Sequence, residues 1–142
     1  MARIKIDLPD KYLFETTLSV RITDINYGNH LANDRLLGLM HEARLQFFRS
    51  LGFINELEFA PNIGIVMADV GIIYKSESFY GDSLRIQLGI NDVSRVGFDM
   101  IHHISNKENN SEVATGKAGI VCFDYKARKV APIPQALLEK LT

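Results

Sequence analysis

The sequence predicts an α+β domain: one long helix lying against a five-stranded antiparallel sheet, closed by a short C-terminal helix. Three observations predict it. Residues 33–51 carry an apolar stripe at helical spacing. Five other stretches read as strands by alternation or by an unbroken apolar run. Most of the joints between consecutive strands are short and polar, and short joints force antiparallel pairing. The 142 residues suit a single domain spanning 1–142, with no repeat, linker or low-complexity tract.

The first strand is expected over residues 14–26. Leu18, Val20 and Ile22 share one face, and Thr17, Ser19, Arg21 and Thr23 share the other. Asn-Tyr-Gly-Asn at 26–29 then breaks it, because Gly and Asn tolerate turn geometry. Asn33 or Asp34 is positioned to cap the next helix. That helix aligns Leu36, Met40, Ala43, Phe47 and Leu51, flanked by Leu37, Leu39 and Phe48. The apolar arc covers roughly half the circumference, wider than a surface helix needs, so several sides must be covered. Gly52 ends it.

Residues 62–74 are almost continuously apolar apart from Asp69, as a central strand requires. Residues 84–92 alternate cleanly and 97–105 less cleanly, and the polar run 106–110 makes a hairpin turn into a last strand at 111–125. A short helix follows Pro134.

Composition excludes several classes. The net charge of -1 leaves no global basic field, which argues against nucleic-acid binding. The single cysteine, Cys122, lies in an apolar strand without a basic neighbour and reads as an inert buried thiol. The first twelve residues carry charges where a signal peptide needs an apolar run, and no apolar run approaches membrane-spanning length, so a cytoplasmic protein without a membrane partner is expected. His102 and His103 are adjacent on a strand and point to opposite faces, which is poor geometry for a shared metal. Neither a metal nor an organic cofactor is expected.

The chemistry concentrates where the first strand meets the helix. Asp24, Asn26, His30, Asn33 and Asp34 fall within eleven residues. If the strand's alternation continues, Asp24 and Asn26 point to its apolar side, where a partly desolvated carboxylate becomes a better base. If the strand stops at Thr23, Asp24 is a turn residue. His30 reads either as a solvated loop residue or as one member of a converging group. The helix N-terminus brings unpaired backbone N–H groups, which suit an oxyanion. Glu42 shares a face with Gly38, Gln46 and Arg49, opposite the apolar stripe. It is either solvated or set in a cleft against a partner subunit.

The segment Asp24–Arg44 resembles that of the hotdog-fold acyl-CoA thioesterases, the group related to 4-hydroxybenzoyl-CoA thioesterase. Their pattern there reads D-x-D-x-x-G-H-V-N-N, followed by an aromatic and E-A-R. Asp24, His30, Asn33, Glu42, Ala43 and Arg44 fall in register with it. The strand segments from Gly64 to Leu88 and from Gly119 to Pro134 are similar to the family's as well. Asn26 stands where many members carry a catalytic Asp, Gly28 is displaced by one residue, Ala32 replaces an Asn and Leu36 an aromatic.

The resemblance implies hydrolysis of an acyl thioester of CoA or of a carrier protein, in a homodimer or homotetramer with sites between subunits. It implies that Asp24, or Glu42 across an interface, activates water, while Asn26 and His30 orient it and N–H groups around Asn33 and Asp34 hold the oxyanion. Arg95, Lys126 and Arg128, together with Lys75, are candidates for the CoA phosphates by charge alone. Two other readings stay open: an (R)-specific enoyl-CoA hydratase-like enzyme, since Asp24-Ile-Asn-Tyr-Gly-Asn-His30 is similar to the D-x-N-P-x-H element of that group, and an acyl-thioester-binding protein without turnover.

Overall fold

The computed structural model describes residues 3–142. The chain runs β1 (Phe14–Ser19), a 3-10 turn (Ile22–Asp24), α1 (Asn33–Ser50), β2 (Ile63–Tyr74), β3 (Ser83–Asn91), β4 (Gly97–Asn106), β5 (Glu112–Asp124), β6 (Lys129–Val130) and α2 (Gln135–Leu138). The strands form one sheet in the order β1-β3-β4-β5-β2, with β6 added alongside β5. Every pairing is antiparallel. This is the predicted hotdog architecture, with a sixth strand of two residues folded back after the Lys126–Arg128 turn.

The apolar stripe of α1 makes the core. Leu36, Leu39, Met40, Ala43, Phe47 and Phe48 are buried against inward residues of the strands, among them Leu84, Ile86, Leu88, Met100, Ile104, Ala118 and Ile120. Phe48 and Phe53 each meet Phe59 edge-on with ring centres 4.9 Å apart. The helix ends as the sequence predicts: Gly52 takes φ +99°, and the Phe53 N–H reaches back to the Phe48 carbonyl at 3.0 Å. Arg44, buried on α1, holds Glu56 of the following loop.

The first strand is shorter than its sequence pattern suggests. It stops at Ser19, and Ile22–Asp24 turns into a 3-10 helix closed by the Asp24 N–H to the Arg21 carbonyl at 2.9 Å. Alternation over 20–26 is accidental: the Asp24 carboxylate accepts the Arg21 backbone N–H at 2.8 Å, and that local bond displaces the strand. The helix cap also differs. Ala32 is the N-cap, and neither Asn33 nor Asp34 caps with its side chain because both already lie inside the helix. Asp69 follows a β-bulge at Ala68 and turns outward to Lys117, with Nζ to Oδ2 at 3.2 Å.

His102 and His103 do point to opposite faces. His103 sits outside, 3.4 Å from Gln87 Oε1. His102 is fully buried beneath α1, and neither ring nitrogen makes a hydrogen bond among the described residues. Burial, reinforced by the Arg44 charge, pushes its pKa down to about 3. It is held neutral in the fold, while in the unfolded chain it binds a proton near the ordinary 6.5. The unfolded state therefore gains protons first as pH falls. The stability that neutral His102 supports is complete above about 6.5 and drains away toward about 3.

Lowering the pH from about 6.5 to about 4.5 should cost about 2 kcal/mol through this group alone. Urea unfolding across that range checks it. Replacing His102→Leu should flatten the loss, and an unchanged slope would assign the acid sensitivity elsewhere.

Candidate active site

The segment between β1 and α1 is a knot of backbone bonds. The Ala32 N–H donates to the Asp24 carbonyl at 2.9 Å, and the Asn26 N–H donates to the His30 carbonyl at 3.0 Å. The Leu31 N–H crosses to the Ser78 carbonyl at 2.7 Å, which ties this turn to the β2–β3 connection. Asn29 takes φ +65°, the left-handed turn conformation asparagine accepts readily. The Asn26 side-chain oxygen accepts the Gly28 N–H at 2.9 Å. In the tautomer protonated at Nδ1, His30 donates to the Leu31 carbonyl at 3.3 Å, leaving Nε2 as an acceptor.

This knot aims the start of α1. Asn33 and Asp34 supply the first backbone N–H groups of the helix, and these make no hydrogen bond among the described residues. Both residues line a cavity of about 650 Å³. Asn26, His30, Asn33 and Asp34 form one wall, and Tyr74 to Ser78 form the other. Leu36 and Val113 close the inner end. The Tyr74 hydroxyl donates to the Asn33 carbonyl at 3.0 Å. Its pKa is raised by burial and, less, by the facing Asp34 carboxylate. Lys75 is the cation on this wall.

The structure divides the candidates between two clefts. Asn26, His30, Asn33 and Asp34 share the cavity. Asp24 and Glu42 line a separate groove of about 460 Å³ with Arg21, Arg35 and Gln46. The Asp24 carboxylate is 4% exposed and turned toward Arg21. Glu42 accepts a hydrogen bond from Gln46 Nε2 at 2.8 Å on the exposed face of α1. Arg95, Lys126 and Arg128 lie on turns by the far end of β5, where the Arg128 guanidinium sits over the Phe123 ring at 5.5 Å. The cavity lies beside Val113, at the strand's other end, about 35 Å away along the extended chain. Within one chain these cations do not meet the cavity.

Sequence reasoning missed Tyr74, Ser78 and Val113. Tyr74 and Val113 looked like ordinary strand residues, and Ser78 like part of a polar turn. Among the described residues no cluster of three or more His, Cys, Asp or Glu is placed to hold a metal. Cys122 is buried, and burial raises its thiol pKa to about 11, consistent with an inert side chain. No helix is long and apolar enough to cross a membrane.

A family model described as the thioesterase-like superfamily matches residues 20–141, and the chain belongs to that superfamily. A protein of Aquifex aeolicus provisionally named an esterase is 28% identical over 100 residues, covering 70% of this chain and 75% of that one. Among solved structures, a 1,4-dihydroxy-2-naphthoyl-CoA thioesterase from Synechocystis superposes with a TM-score of 0.82 at 22% identity, over 90% of this chain and 94% of the other. A Staphylococcus aureus protein solved in complex with CoA superposes with a TM-score of 0.81 at 16% identity, over 96% and 85%.

Gly28 keeps the polar wall open. A Cβ there would stand 3.2 Å from both Asn26 Oδ1 and His30 Nε2. Gly28→Ala should leave the melting temperature within a few degrees but lower thioester turnover roughly tenfold or more. Thermal unfolding and thiol release measured on the same sample separate the two effects, and unchanged turnover would show that the pair is not used.

Proposed function

We propose that the protein hydrolyses acyl-CoA thioesters at the α1 N-terminus. The observation that carries this reading is the pair of unbonded N–H groups at Asn33 and Asp34, facing a cavity with an apolar inner end. In this reading the acyl group enters toward Leu36 and Val113, and its carbonyl oxygen rests on those N–H groups. The helix dipole and the two donors stabilise the charge that develops as water adds. His30 and Asn26 hold the water. Two carboxylates line the cavity, Asp34 and Glu77, and we assign Asp34, which stands on the helix N-terminus itself, as general base. Water adds to the carbonyl carbon, the tetrahedral intermediate collapses, and the C–S bond breaks to give a free acid and the thiol.

Asp24 and Glu42 would act from the adjoining groove only where a second copy closes both clefts. The free edge of β2 supports such a copy. It is twelve residues long, pairs on one side with β5, and exposes Met67, Val70 and Tyr74. An edge of that length invites antiparallel pairing with itself. Such pairing would bring the second copy's Lys126–Arg128 turn beside the first copy's cavity, which is how that turn would reach CoA phosphates.

Thiol release from a panel of acyl-CoAs, aliphatic and aromatic, tests the reaction. Asp34→Asn should reduce turnover by about two to four orders of magnitude. Glu42→Gln and Asp24→Asn should fall comparably only if the base comes from the groove. Restoring the usual carboxylate with Asn26→Asp keeps the acceptor for the Gly28 N–H and should raise turnover. Tight acyl-CoA binding with no thiol release from any substrate would sink the hydrolase reading in favour of a binding protein, and loss of enoyl absorbance with crotonyl-CoA would favour hydration. Light scattering should report a dimer that Val70→Lys weakens.

A further inference from the structure

Alternation along β5 turns Ala114, Gly116, Ala118, Ile120 and Cys122 toward α1. Lys117 and Gly119 face outward, where they meet Asp69. By the same count Val113 belongs outside with Thr115. It is instead 3% exposed and part of the core. The cause is a slip in the β4–β5 register: Ile104 pairs with Ala114, but Ser105 pairs with Glu112, leaving Val113 without a partner on β4. Such a bulge places two successive side chains on one face.

The Val113 carbonyl is held elsewhere. It accepts the N–H groups of Lys75 at 2.8 Å and Ser76 at 3.3 Å, in the segment that forms one wall of the cavity. The bulge is thus tied into the cavity wall, and it turns a branched apolar side chain into the inner end. Beyond Val113 and Leu36 lie the helix stripe and the inward strand residues of the core.

We propose that Val113 is a specificity-determining residue that sets the depth of the acyl cavity, so that the bulge in β5 fixes the length of acyl chain the enzyme accepts. This rests on the thioesterase reading. A chain that ends against Val113 gains apolar contact with each methylene, and a longer one must displace the core. Hydrophobic pockets of this kind discriminate by about tenfold or more for one methylene too many.

The test compares wild type, Val113→Ala and Val113→Leu on straight-chain thioesters from butanoyl-CoA to palmitoyl-CoA. For each protein kcat/KM is measured by thiol release and affinity by calorimetry. Val113→Ala should move the optimum to longer chains and raise the ratio of long-chain to short-chain kcat/KM about tenfold. Val113→Leu should move it the opposite way. The same optimum in folded wild type and variants overturns the proposal while leaving the thioesterase reading intact. If Val113→Ala does not fold, the direction of the Val113→Leu shift decides. If even the wild type releases no thiol, the thioesterase reading fails, and the affinity series decides the depth question by the same criterion.

Discussion

Everything in this molecule depends on how closely α1 lies on the sheet. A register row crosses the sheet through Phe14, Leu88, His102, Gly116 and Ile72. At Gly116 a Cβ would stand 2.5 Å from Met40 Cε. The end of the Met40 side chain fills the space beside Gly116, so a larger residue on β5 there would have to push that thioether aside. That proximity excludes water from His102 beside it. It also fixes where the helix begins. With the Met40 contact set and the Ala32 N–H bonded to the Asp24 carbonyl, the first turn of α1 must emerge beside Tyr74 and Ser78.

The missing side-chain cap follows the same logic. A Ser, Thr, Asp or Asn at the N-cap is worth about 1 kcal/mol over alanine. Ala32 gives that up. A capping oxygen would occupy the N–H groups at the start of the helix, the donors that a carbonyl oxygen can use in the cavity. On the proposed mechanism, helix stability is traded for a pre-positioned pair of donors that need no rearrangement when charge develops. The helix is held instead by its buried stripe, by the Gly52 turn and by Arg44 on Glu56.

Much of the fold was legible, for identifiable reasons. The bounds of α1 follow from an apolar stripe and a terminal glycine, and β3 and β4 from alternation. What was hidden came from local hydrogen bonds that leave no periodic trace. Asp24 continues the alternation of β1 in sequence, yet its bond to Arg21 rotates it out of the sheet. The cluster from Asp24 to Asp34 was visible as a cluster, but its division between two clefts was not, because a 3-10 turn separates neighbours that spacing alone would join. Glu42 was better determined. It lies nine residues beyond Asn33, or half a turn away at about 100° per residue, so the helical wheel already placed it on the other side of α1 from the stripe.

The two bulges show why spacing arguments stop where they do. One extra residue, Ala68, enters β2 opposite β5, and another, Val113, enters β5 opposite β4. A bulge adds bend and twist, which a sheet needs in order to coil around a single helix. Each also reverses which face the following side chains occupy. At Asp69 this carries a carboxylate out of an otherwise apolar strand to Lys117. At Val113 it carries an apolar side chain into the end of the cavity. The same distortion that lets the sheet enclose α1 therefore shapes the space at the helix N-terminus, so that curvature of the fold and dimensions of the cavity are coupled through one strand.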